Sequence, residues 1–170
     1  MRNPTFGILY ILLVIVQMII CNYFQFSPYF VLSILPAMVL CIPLNIGTGM
    51  AMVIAFVTGL SVDWLAEGLI GINTVALLPV AYARKTIIRI ILGEDLISRQ
   101  ESFTFRKNGI VKIGIALLIS YLIFFVIYIT FDGAGTRSFW FNLLRFILSL
   151  SGSLIAALIT TSAITSEERR

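Results

Sequence analysis

The chain has 170 residues, 59% of them apolar and 12% charged, with a formal net charge of +4 and a mean hydropathy of +1.04. Soluble domains carry about 25% charged residues, so this composition cannot coat a folded surface with water-compatible groups. It excludes a soluble enzyme, a disordered tail and a nucleic-acid-binding domain, and leaves an all-α integral membrane protein. The chain has no histidine, which also excludes a Ser-His-Asp triad and a His-ligated zinc site.

At about 20 residues per crossing, the length allows six spans and no large extramembrane module, so residues 1–170 read as a single transmembrane domain. The first apolar run covers about residues 6–22, after Arg2. No Ala-x-Ala-like cleavage site follows it, only Asn22-Tyr23-Phe24-Gln25, and it reads as a retained span. Ile20 stands where a lipoprotein acylation site at Cys21 would need a small residue. Cys21 and Cys41 read as small buried thiols rather than a disulfide. Span two is expected over about 29–43, with Pro36 inside it predicting a kink. Span three follows over about 47–65, and span four over about 69–92. Only about 15 residues, or ~22 Å of helix, separate Leu69 from Arg84. Arg84, Lys85 and Arg89 are therefore expected to snorkel to the interface, unless the helix continues as an interfacial segment. A cytoplasmic loop over about 93–108 leads to span five (109–131) and span six (139–164).

Charge sets the orientation. The connection from Arg84 to Lys112 holds seven of the twelve basic residues. With six spans, these fall on the same side as Arg2, Arg169 and Arg170, so both termini are expected in the cytoplasm. The net positive charge then follows from insertion, with contact to anionic lipid or an acidic partner as the alternative.

Small residues recur at every fourth position in span three: Gly47, Ala51, Ala55 and Gly59. On a helix this makes a groove for close backbone approach, filled by another span of the same chain or by a partner's membrane helix. Span six carries a second stripe, Ser149, Ser153, Ala157 and Thr161, which suits close packing too. The first series continues into Asp63 and Glu67. A carboxylate in hydrocarbon persists where it faces protein, water or a cation, so Asp63 is expected to bind a partner, bind a substrate, or pair with an arginine such as Arg145. Glu67 reads as a solvated loop charge. No nucleophile–base pair, metal cluster or phosphate-cradling loop accompanies these carboxylates, and the lone Gly47-x-Gly49 lacks the rest of a nucleotide fingerprint. Neither catalysis nor a cofactor is expected.

The segment Gly59-Leu60-Ser61-Val62-Asp63, followed by Glu67-Gly68-Leu69-Ile70-Gly71-Ile72-Asn73 and Ala76-Leu77-Leu78-Pro79-Val80-Ala81-Tyr82, resembles the rod shape-determining protein MreD family. The likeness extends to the length, the six spans, the internal termini and the basic loop. Pro79 departs from the pattern and puts the straightness of span four in question. The resemblance implies a non-catalytic scaffold of the bacterial inner membrane. It would bind a bitopic MreC-like protein and help connect MreB filaments to a RodA-type glycosyltransferase and a class B penicillin-binding transpeptidase. Gly59, Asp63, Gly68, Gly71, Asn73 and Tyr82 carry over as motif positions. The family is similar in architecture to the S-components of energy-coupling-factor vitamin transporters. That similarity supplies a rival, a substrate-binding protein with Asp63, Glu67, Asn73 and Thr74 as its available polar groups. A small channel or proton-coupled carrier would need more intramembrane ionisable residues than the chain has.

Overall fold

A computed structural model describes residues 4–23, 28–68, 71–93, 109–133 and 137–167. Among them all regular structure is helical, as an apolar medium demands of a backbone that cannot bond to water. The elements are α1 (Pro4–Tyr23), α2 (Leu35–Leu40), α3 (Thr48–Val62), a π-helical turn (Asp63–Glu67), α4 (Ile72–Leu92), α5 (Ile110–Gly133) and α6 (Phe139–Glu167). Four segments are long and apolar enough to cross a membrane: Phe6–Tyr23, Thr48–Ala66, Val111–Gly133 and Phe139–Ser162. Helix α4 has the length, at 21 residues, but carries Arg84, Lys85 and Arg89. The expected cytoplasmic loop lies outside the described residues from position 94 onward.

Span two departs most from expectation. A helix was predicted over about 29–43, yet α2 has six residues. Pro36 lies in its first turn, where a missing N–H costs nothing, so the predicted kink does not arise. Pro79 does sit inside a helix, and α4 continues through it. Helix α2 is the centre of the protein: Leu35, Ala37, Met38, Val39 and Leu40 are each 0% exposed. Around it pack Ala55 and Val62 of α3, Leu77 and Val80 of α4, and Leu117, Phe124 and Phe125 of α5. The outward faces of α1 and α6 are apolar as well, with Ile8, Ile11 and Ile15 and then Ile147, Ile155 and Ile159 exposed, as lipid contact requires. Hydroxyls on the outer surface return to their own helices, Ser61 of α3 donating to the Val57 carbonyl and Ser151 of α6 to that of Leu148. Cys21 and Cys41 are buried thiols and form no disulfide with each other.

Residues 31–34 enter this apolar core ahead of α2. Only the Ile34 carbonyl joins the helix, accepting from the Met38 amide, and side chains supply partners to the groups that precede it. The amides of Val31 and Ser33 donate to Ser149 Oγ (2.9 Å) and Ser153 Oγ (3.0 Å) of α6. The Ile34 amide donates to Gln17 Oε1 of α1 (2.8 Å), and Gln17 Nε2 donates back to the Leu32 carbonyl (3.1 Å). Tyr121 of α5 donates its hydroxyl proton to the Ser33 carbonyl (2.9 Å), and Ser153 Oγ donates to that of Val31 (3.3 Å). Three helices thus replace the ladder that a full-length span would have made internally. The chain comes close to α6 here, where a Cβ at Gly152 would lie 2.5 Å from the Phe30 ring.

Ser153→Ala leaves a buried amide and a buried carbonyl each short of a partner, a loss of about 1–3 kcal/mol per unsatisfied group. Thermal unfolding in detergent micelles should show a clear drop in midpoint for this variant. Ser151→Ala, one turn face away and bonded to its own helix, should melt like the parent.

Candidate functional site

The motif residues converge where α3 hands over to α4. The π turn closes with the Gly68 amide donating to the Asp63 carbonyl (2.9 Å), and Gly68 takes φ +69° while Gly71 takes φ +106°, backbone conformations that disfavour any Cβ. Gly71 is the N-cap of α4 and offers no side chain to its first turn. The orphan amides there turn instead to Asp63. Its Oδ1 accepts from the Asn73 amide (2.9 Å) and Asn73 Nδ2 (3.0 Å). Its Oδ2 accepts from the Gly71 amide (3.0 Å), the Thr74 amide (3.1 Å) and Thr74 Oγ1 (2.7 Å). A carboxylate is also favoured at the positive end of the α4 dipole. Gly59 makes the contact possible, since a Cβ there would stand 2.6 Å from the Thr74 Cα.

Five donors saturate the Asp63 carboxylate, which is 0% exposed. It does not meet Arg145, contrary to one expectation. Arg145 Nη1 instead bonds Asp132 Oδ2 at the end of α5, the acid nearest to it across the α5–α6 turn. Arg137 joins the same oxygen at 3.3 Å. Asp63 is thus a cap supplied by a neighbouring helix, and its oxygens are already engaged. Of the motif positions, Gly59, Asp63, Gly68, Gly71 and Asn73 form this one unit. Tyr82 does not belong to it: it lies three turns along α4 and is 69% exposed. The backbone of Glu67 ends the π turn, and its side chain lies outside the described residues.

Both small-residue stripes face inward. Ala51, Ala55 and Gly59 are buried, Gly59 against α4, while Gly47, the N-cap of α3, is exposed and falls outside the buried stripe. Ser149, Ser153, Ala157 and Thr161 are buried on α6, and two of them hold residues 31–34. The stripes are filled by the chain itself, so the partner-helix alternative for them is set aside.

Arg84 corrects a further expectation. Lys85 is half-buried and Arg89 exposed, but Arg84 turns inward and is 0% exposed. Its Nη2 donates to the Pro43 carbonyl at 3.1 Å, while Nε and Nη1 have no hydrogen-bond partner among the described residues. Nearby in the core, Tyr10 donates to Thr58 Oγ1 (3.2 Å), because the one Thr58 proton goes to the Ile54 carbonyl (2.7 Å). Sequence reasoning passed over Gln17 and Tyr121 as well. The available signal for Gln17 was a lone amide inside an apolar run, which in a membrane marks a helix-to-helix bond.

Among the described residues no group of three His, Cys, Asp or Glu gathers as a metal ion would need. Comparison with protein-family models, curated proteins and solved structures finds no match to the chain. The fold and its interior polar bonds define a helical, multi-pass membrane protein.

Asp63→Asn replaces one acceptor oxygen with a donor that faces other donors, and should destabilise the protein by about 2–5 kcal/mol. Tyr82→Phe, measured by the same detergent melt, should be silent. Arg84→Met should melt at or above the parent midpoint, because replacing an uncompensated buried charge with an apolar side chain of similar volume is commonly neutral or stabilising.

Proposed function

We propose that this chain is a non-catalytic scaffold of the bacterial inner membrane, of the rod shape-determining MreD type. It binds a bitopic MreC-like protein and helps couple MreB filaments to a RodA-type glycosyltransferase and a class B penicillin-binding transpeptidase. Both termini and the basic connection between α4 and α5 lie in the cytoplasm, following the distribution of Lys and Arg. The observation that carries the reading is the Asp63 unit: Gly59, Asp63, Gly68, Gly71 and Asn73, the residues of the resemblance, have one joint physical task in fastening α3 to α4. With the small-residue stripes inside the fold, the partner's helix meets an outward apolar face instead.

The S-component rival required Asp63, Asn73 and Thr74 to line a ligand pocket. These three side chains bond one another and are buried. A broken membrane helix can also expose backbone groups to a substrate, but those of Val31, Leu32, Ser33 and Ile34 named above are taken by Gln17, Tyr121, Ser149 and Ser153. Their engagement favours the scaffold.

Purification of the tagged protein from its native membrane in mild detergent should bring down an MreC-like protein together with peptidoglycan-synthesis enzymes. Recovery of ABC-type ATPases with a coupling membrane subunit would overturn the scaffold in favour of vitamin uptake.

A further inference from the structure

The α5–α6 turn holds a polar cluster that the scaffold role does not use. Two guanidinium groups, Arg137 and Arg145, share one carboxylate, Asp132, which leaves the cluster with one positive charge in excess. Arg145 is 6% exposed, yet its Nε has no hydrogen-bond partner among the described residues, and neither does the buried Oδ1 of Asn142, one turn earlier on the same face. A buried donor and a buried acceptor without partners are costly, and more so near hydrocarbon. The cluster sits at the start of α6, a helix of 29 residues, whose first-turn amides and positive dipole end attract an anion. Its depth is marked by Trp140, which is 75% exposed, as aromatic residues are at the headgroup level. Arg137 is the open side: its side chain is 35% exposed, and its guanidinium lies 5.2 Å over the Phe141 ring, which holds it in place.

The geometry points to a binding site for the phosphodiester of an anionic phospholipid whose headgroup carries a hydroxyl, such as phosphatidylglycerol. The single excess charge matches one phosphodiester. Arg137 and the Arg145 Nε–H donate to its oxygens, and the headgroup hydroxyl donates to Asn142 Oδ1. A choline headgroup brings a cation towards two guanidiniums and has no proton for Asn142. The site lies at the end of α5 remote from the 94–108 connection, so it is separate from any lipid held by the basic residues there, and it stands whether or not the scaffold assignment does.

The test is native mass spectrometry of the delipidated full chain titrated with phosphatidylglycerol or phosphatidylcholine, using the parent and Arg137→Gln. Arg137 is the most exposed member of the cluster, and equal detergent melting midpoints will show that the variant folds. The parent should prefer phosphatidylglycerol, and Arg137→Gln should weaken that binding by about tenfold, the size of one charge-assisted contact. Asn142→Leu should reduce the preference for phosphatidylglycerol over phosphatidic acid, which lacks the headgroup hydroxyl. Equal binding of the two titrated lipids by the parent, or unchanged phosphatidylglycerol binding by a folded Arg137→Gln, would overturn the site. Displacement of bound lipid by millimolar inorganic phosphate alone would assign it to free phosphate and overturn the lipid assignment.

Discussion

A backbone amide or carbonyl inside hydrocarbon has no water to turn to, and this protein is organised around meeting that demand at two places where helices fail to meet it. The first is residues 31–34, where the chain enters the core before its helix begins. The second is the junction of α3 and α4, where a new helix starts with its first-turn amides buried. In both cases side chains from other helices complete the bonding: Gln17, Tyr121, Ser149 and Ser153 at the first, and Asp63 at the second. At the first place the bonds from α6 join residues 118 and 120 positions apart, and at the second they fasten one helix to the next. The polar residues inside the bundle therefore do the joining that apolar packing does less selectively in a medium as apolar as Leu itself.

The consequence for function is that most of the polar groups a sequence would nominate as reactive are occupied. Asp63 is the clearest case. An acid within a membrane segment invites a catalytic or ligand-binding role, but its oxygens receive five protein donors. The serine and glycine stripes tell the same story, since each is matched by backbone or side chain of this chain. Arg84 stands out among the exceptions, a buried cation bonded to one carbonyl, with Nε and Nη1 unpartnered among the described residues. Proteins keep such local disagreements with stability mainly where function requires them.

Much of the fold was legible in the sequence. The boundaries of α1, α5 and α6 follow from long apolar runs with few charges, ended by polar residues, because hydrocarbon thickness and helical rise leave little choice. The place of Asp63 at the end of α3 was legible for the same reason. Span two was not: Tyr29 to Ile42 is apolar apart from Ser33, and hydropathy cannot distinguish a helix from an irregular segment whose bonds are supplied by Gln17 and Ser153 of other helices. The aim of Arg84 was equally hidden, since snorkelling and inward burial differ only in rotamer and in whether the Pro43 carbonyl lies within reach. From sequence, Arg145 was matched only with Asp63, and its actual partner across the α5–α6 connection, Asp132, was overlooked.

Hydrogen–deuterium exchange of the Val31, Ser33 and Ile34 amides, with the protein in lipid nanodiscs, tests most directly whether side chains replace the missing helical ladder. Protection comparable to that of the central amides of α5 is the expected result. Exchange at the rate of an unstructured loop would mean that water reaches this backbone. The bonds from Gln17, Ser149 and Ser153 would then not be what holds the segment in the core.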